Sequence, residues 1–303
     1  MIITSAPGST MLLGEHAVLY GHRALVLAVD QRLTVTLVPR ADEQIIISSA
    51  LGRVSGSVRQ LPASQALGFV CQAIAHCKPA QGFEIAIDSQ ISHTVGLSSS
   101  AAVTAATLAA LYAYQGSQIS QAQLLTHTVA VIRAVQGRGS GADAAACVYG
   151  GAVAYNAEKI VAEKAEFSAP FALYYLGYKT PTPDVLKRVA LWQNSAPTSY
   201  QHIYQGMGML VEEGLAQCAK QDITGLARVM RQYQGYMHAL GVTDSETLKL
   251  LAELASDERC LAAKISGSGL GDCVLALGDN LPKLTYQHLA VASTDIGVTV
   301  EQS

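Results

Sequence analysis

From Ser89 to Ile132 this chain of 303 residues carries no Asp, Glu, Lys or Arg, and that stretch limits what it can fold into more than any other feature. Its middle, Ser98 to Tyr114 (SSSAAVTAATLAALYAY), offers no charged side in any helical register. Such a helix has to be covered all round, by lipid or by protein. Its length is near the lower limit for crossing a bilayer. The bulk is Ala, Ser and Thr, Leu occurs only at 108 and 111, and no basic anchor flanks the run. A helix buried in a protein core is therefore expected, and no membrane partner. Half of the chain is hydrophobic and 14% is charged, which excludes a disordered polymer and suits one large or two modest domains.

The charge balance is nearly even, 20 basic against 23 acidic residues, with no basic run. No nucleic-acid partner is expected from it. The six cysteines form no C-x-x-C pair and have no His at zinc-ligand spacing. Free buried thiols are expected, and the opening Met1 to Ser5 lacks the features of a secretory leader, so the expected location is cytoplasmic. The high apolar content is compatible with a homodimer.

Alternation of apolar and polar residues predicts strands at Ile2–Ser5, Ala24–Val29, Leu33–Val38, Gln44–Ser48 and Phe83–Asp88, with Asp30-Gln31-Arg32 as a turn. Helical spacing predicts helices over Ser64–Cys77, with Ser64 as the cap, and over Ser120–Val135. Strands at Ala152–Tyr155 and Phe171–Leu176 flank a charged hairpin or linker, Glu158–Glu166. Four helices follow, about Pro183–Trp192, Tyr200–Lys220, Thr224–Leu240 and Ser245–Leu254. Cys273–Leu277 is expected as a buried strand, with Val298–Glu301 beside it. Strands followed by helices predict an α+β chain of two lobes, residues 1–168 and 169–303.

Three glycine-rich turns offer permissive backbone: Gly96 to Ser100 (GLSSS), Gly137 to Gly141 (GRGSG) and Gly267 to Gly271 (GSGLG). The first is the most telling, because a strand leads through it into the uncharged helix. Free N–H groups, partial positive charge and three hydroxyls then meet at one helix start, which is a cradle for phosphate. Serine oxygens also complete Mg²⁺ shells beside phosphate. Taken singly, each turn is equally an ordinary cap or turn. No Walker-type G-x-x-x-x-G-K-[ST] is present, and the other two turns lack the dinucleotide spacing.

The segment Ala6 to Gly21 (APGSTMLLGEHAVLYG) resembles the first motif of the GHMP small-molecule kinases, and its GEHAVLYG part looks like the mevalonate kinases of that group. GLSSSAA at 96–102 is similar to the family's phosphate motif. Ser140-Gly141-Ala142-Asp143 is similar to the segment of its catalytic aspartate, and Lys264 to Cys273 (KISGSGLGDC) to its third motif. The resemblance implies the two-lobed GHMP kinase fold, an N-terminal domain of the ribosomal-protein-S5-like type followed by a ferredoxin-like domain. It further implies ATP as phosphoryl donor, Mg²⁺, and a small mevalonate-like alcohol as acceptor.

By the same resemblance, Gly96, Leu97, Ser98, Ser99 and Ser100 would hold the nucleotide phosphates, with Ser100 also on the metal, and Gly267, Ser268 and Gly269 would close from the other lobe. Asp143 would serve the acceptor hydroxyl as base or orienting anion. Glu15, His16 and Thr180 would face the substrate. Two positions depart from the pattern. Ser9 stands where the family usually has Lys, and Ile132 stands eleven residues before Asp143, where mevalonate kinases carry a metal-binding Glu. A neutral Ser9 in the catalytic set cannot supply a lysine's charge. The segments around Arg138 and Gly271-Asp272-Cys273 also look like phosphomevalonate kinase, which would turn Arg138 or Lys179 toward a substrate phosphate. An ATP-dependent decarboxylase and a weakly catalytic nucleotide-binding relative remain open beside these.

Overall fold

The computed structural model describes residues 1–92, 95–137 and 139–302. The first lobe is built on a long antiparallel pair, β1 (Ile2–Leu13) and β2 (Arg23–Pro39). Around it lie β3 (Gln44–Ser49), β4 (Gly52–Ser57), β5 (Phe83–Ser89), β6 (Ala152–Asn156) and β7 (Val161–Ala165). With β12 (Thr299–Gln302) they form one sheet in the order β12-β1-β2-β5-β3-β4, to which β6 and β7 are added beside the first half of β2. Helices α1 (Gly68–Cys77), α2 (Ser99–Tyr114), α3 (Gln121–Gln136) and α4 (Ala142–Tyr149) cover it. The second lobe has a four-stranded antiparallel sheet, β11 (Gln287–Leu289), β8 (Phe171–Lys179), β10 (Gly271–Leu277) and β9 (Ala262–Ser266), in that order. Its helices are α5 (Thr182–Ser195), α6 (Pro197–Ala219), α7 (Ile223–Ala239) and α8 (Ser245–Ala255).

The uncharged helix α2 lies where its composition requires. Every residue from Thr104 to Leu111 is buried, against β1 and β2 on one side and α1, α3 and α4 on the others. Alanine lets these elements approach closely. Its threonines satisfy themselves along the chain where they can, as Thr104 does by donating to the Ser100 carbonyl at 2.7 Å. Among the described residues no helix is long and apolar enough to cross a membrane. The six cysteines are unpaired.

Three local expectations are corrected. Asp30 to Arg32 is not a turn: β2 runs straight through it, and the pairing register with β1 shifts between Pro7 and Gly8, so the extra residues bulge and bend a continuous strand. β1 likewise continues to Leu13 rather than stopping at Ser5, so the first motif is strand as far as its Gly14. Val298–Glu301 does not join Cys273–Leu277. The terminal strand returns to the first lobe and pairs with β1, Ile2 opposite Gln302. Helix α1 starts at Gly68, with Ser64 four residues upstream accepting from the Leu67 amide. The 158–166 segment is a hairpin, β6 to β7.

Candidate active site

A cavity of about 400 Å³ opens between the lobes. From the first lobe it is lined by Glu15, His16, Gly96, Ser98, Ser100 and Asp143, and from the second by Lys179, Gly267 and Ser268. Residues more than 250 positions apart in the chain thus share one small space, within the size range of small-molecule sites.

The phosphate-type turn forms the floor. Ser98 takes a left-handed conformation, φ 59°, immediately before α2. The amides of the first helical turn have no carbonyl one turn earlier to bond, so those of Ser98, Ser99 and Ser100 end the helix with partial positive charge. Ser98 and Ser100 face the cavity; Ser99 does not line it. The Leu97 side chain is buried and its N–H donates to the Val95 carbonyl, while its own carbonyl accepts from Ser9 N–H at 3.2 Å. Leu97 therefore ties the turn to β1, and its amide is already engaged.

Asp143 stands in the first turn of α4, where the helix end favours a negative charge. Gly141 before it has φ 88°, and a Cβ there would meet Val129 and the Tyr155 hydroxyl at 2.5 and 2.6 Å, so only glycine admits this approach. Ser9 is fully buried on β1, behind the cavity wall, and donates from Oγ to Asp143 Oδ1 at 3.0 Å. Nearby, burial and the Asp143 charge push the Cys147 thiol far up, so it stays protonated.

Glu15 is almost fully buried, and its Oε1 accepts from the ammonium of Lys264, itself wholly inaccessible on β9 of the other lobe. Lys264 also donates to the Ile265 carbonyl and lies over the Tyr233 ring, whose hydroxyl donates to the Glu15 carbonyl at 2.8 Å. Burial pushes the carboxyl up and the ammonium down, and each charge pulls the other back. Among the described residues Glu15 Oε2 has no hydrogen-bond partner, although Glu15 lines the cavity. His16 has φ 58° and its Nε2 donates to the Ser268 carbonyl at 2.9 Å. Burial lowers its pKa and so favours the neutral ring.

On the second-lobe side, Gly267 has φ 104° and open space where a Cβ would be. Gly269 lies outside the lining, and a Cβ there would strike the Val242 carbonyl at 2.6 Å. Thr180 is also outside the lining, and Thr182, at the start of α5, faces the cavity in its place. Ile132 presents an apolar wall. Arg138 lies outside the described residues. Lys179 does reach the cavity, paired at 2.7 Å with Asp272 Oδ2.

Lys264, Asp272 and Thr182 are among the lining or supporting residues to which sequence reasoning gave no role, although Lys264 and Asp272 stand inside the third motif. One signal for Lys264 was present, a lone charge inside the apolar strand Ala262-Ala263-Lys264-Ile265, which calls for a buried partner. Nothing in the sequence says that the partner is Glu15.

The family model described as "GHMP kinases N terminal domain" matches residues 63–151, and that described as "GHMP kinases C terminal" matches 215–284. The mevalonate kinase of Archaeoglobus fulgidus is 30% identical over 280 residues, covering 91% of this chain and 92% of the relative. The mevalonate kinase of Pyrococcus furiosus is 30% identical over 316 residues, covering 96% and 93%. The crystal structure of the Methanococcus jannaschii mevalonate kinase superposes with a TM-score of 0.81 at 20% identity, covering 97% of this chain and 98% of that one, a likeness that speaks for the fold.

Proposed function

This chain belongs to the GHMP kinases and is an ATP-dependent small-molecule kinase, and from that premise we propose that it phosphorylates mevalonate to phosphomevalonate. The observation that carries the proposal is the convergence of four distant segments on one cavity: the free amides of α2, the Asp143 carboxylate, the Glu15–His16 pair and the Gly267 turn. Each supplies a part that phosphoryl transfer to an alcohol requires. Such transfer asks mainly for alignment and for neutralisation of charge.

In this reading the polyphosphate lies on the amides at the start of α2 and on the hydroxyls of Ser98 and Ser100, with Ser99 contributing only its backbone, and the Gly267–Ser268 turn closes on it from the other lobe. Leu97 and Gly269 shape these turns from behind. Asp143 Oδ1 is held by Ser9, which leaves Oδ2 to accept the proton of the acceptor hydroxyl or to aim that hydroxyl in line. Glu15 Oε2 and His16 fix the rest of the acceptor. An oxygen-rich ion such as Mg²⁺ takes few protein ligands when phosphate and water supply the others, so the hydroxyl of Ser100 suffices on the protein side, whereas Ile132 offers nothing. Bound there, the ion neutralises charge on the phosphates. Lys179 is the one lysine or arginine among the described lining residues and is already paired with Asp272, which favours an acceptor without a phosphate of its own. The unpaired cysteines support a reducing, cytoplasmic setting.

ADP release measured with mevalonate, phosphomevalonate and diphosphomevalonate, with CO₂ followed in parallel, tests the proposal. Turnover is expected with mevalonate and without CO₂. Preference for either phosphorylated acceptor, or nucleotide binding with no turnover on any of the three, would replace it.

A further inference from the structure

An anion already sits on the phosphate turn, and it is the protein's own. Gly96 N–H donates to Asp272 Oδ1 at 2.8 Å, across 176 residues of chain and from one lobe to the other. The fit is close: a Cβ on Gly96 would lie 2.2–2.5 Å from the carboxylate atoms, so glycine is what lets this side chain reach the turn. The second oxygen, Oδ2, holds the Lys179 ammonium at 2.7 Å. Asp272 has only 13% of its side chain exposed, so water screens its charge poorly, while Lys179 at 40% remains reachable from the cavity.

The backbone is bent to achieve this. Asp272 has φ 69°, and the pairing of β10 with β8 breaks its register between Gly271 and Cys273. Strained, register-breaking residues re-aim a side chain out of a regular ladder. Here the side chain is delivered to a backbone amide next to a helix start, the kind of donor that elsewhere receives phosphate oxygens.

We propose that Asp272 is an internal stand-in for a nucleotide phosphate and a positioning residue for Lys179: its carboxylate occupies the Gly96 amide and stores the ammonium at the turn, and an incoming polyphosphate takes over both contacts. Displaced, the carboxylate frees Gly96 N–H for a phosphate oxygen. Lys179 then changes partner from one anion to another, bringing to the phosphates a cation that the neutral Ser9 does not provide. The carboxylate also makes the empty turn selective, because a ligand without several negative charges gains nothing by displacing it. The proposal rests on the reading of this turn as the nucleotide phosphate site.

Calorimetric titration of the full chain with AMP-PNP, in the presence of Mg²⁺, and separately with adenosine tests it. Asp272→Asn tolerates the positive φ but carries no charge, and Asp272→Gly removes the side chain without strain. Both are expected to bind AMP-PNP about tenfold more tightly than the wild type, because the competing closed state is lost. Lys179→Met is expected to bind it about tenfold more weakly, since the cation handed to the phosphates is gone. Adenosine affinity should stay the same in all three. Unchanged or weaker AMP-PNP binding in both Asp272 variants overturns the proposal while leaving the nucleotide site in place, as does an equal shift for adenosine. A wild-type chain that binds no AMP-PNP overturns the nucleotide reading and this proposal together.

Discussion

Asp143 and Glu15 line the same cavity, and the chain partners them in opposite ways. Asp143 has a neutral neighbour, the Ser9 hydroxyl at 3.0 Å, and stands at a helix start. Glu15 is buried against a full positive charge, Lys264, that arrives from the other lobe. Among the described residues, the carboxylate assigned to the reacting hydroxyl thus has no fixed cation, whereas the one assigned to holding the acceptor carries one permanently. In the proposed reading, fixed charge compensation serves acceptor binding and lobe-to-lobe cohesion. At the reacting end it is left to groups that arrive or rearrange with the nucleotide.

The largest effect that would sharpen this contrast is on stability. Lys264→Met strands Glu15 in the interior, and a loss of about 3–5 kcal/mol in urea unfolding is expected. Its pH dependence has a definite sign. Without Lys264, only the backbone hydrogen bonds from Glu15 itself and from Gly267 oppose burial, which holds the folded pKa of Glu15 above the ordinary 4.5. The variant therefore keeps most of its stability below pH 4.5 and loses it as pH rises toward the raised folded value. An equal deficit at pH 4 and pH 7 would break the assignment of a charge pair. Next, Asp143→Asn should lower kcat by at least about a hundredfold with nucleotide affinity nearly unchanged, as measured by steady-state kinetics and AMP-PNP titration. Near-normal turnover would remove Asp143 from the chemistry. The smallest effect concerns its partner. Ser9→Ala removes one hydrogen bond to a carboxylate, and a drop of about tenfold in kcat with little change in KM is expected. A change in KM alone would move Ser9 to the binding side.

How much of this was legible beforehand depended on the range over which each signal acts. The buried helix was plain from forty-four consecutive uncharged residues, and α2 is covered on every side. The helix expected over Ser120–Val135 is α3, and its start is fixed locally by a capping box not singled out beforehand, Ser120 and Gln123 satisfying each other's backbone within one turn. The strand break expected at Asp30–Arg32 was misread, because polar residues in a row look like a turn. In fact a bulge absorbs them, with Arg32 bonding back to Ser5 and to carbonyls near the chain's end. The site divides in the same manner. Gly96, Ser98, Ser100 and Asp143 stand in readable local motifs, whereas the inward roles of Lys264 and Asp272 rest on partners 249 and 176 positions away.

The amino-acid order determined the pieces on its own: which stretch must be covered, where glycine permits a phosphate turn, and in what succession the four motifs come. These follow from side-chain composition and from backbone freedom over a few residues. Only the folded chain decided how the pieces are electrically wired. It set Lys264 under Glu15, laid Asp272 on Gly96, kept Ser9 behind Asp143 and returned the last strand to the first. The physical reason is that a charge in a dry interior is tolerated only beside its partner, and which partner lies within 3 Å is a property of packing between lobes rather than of either local sequence.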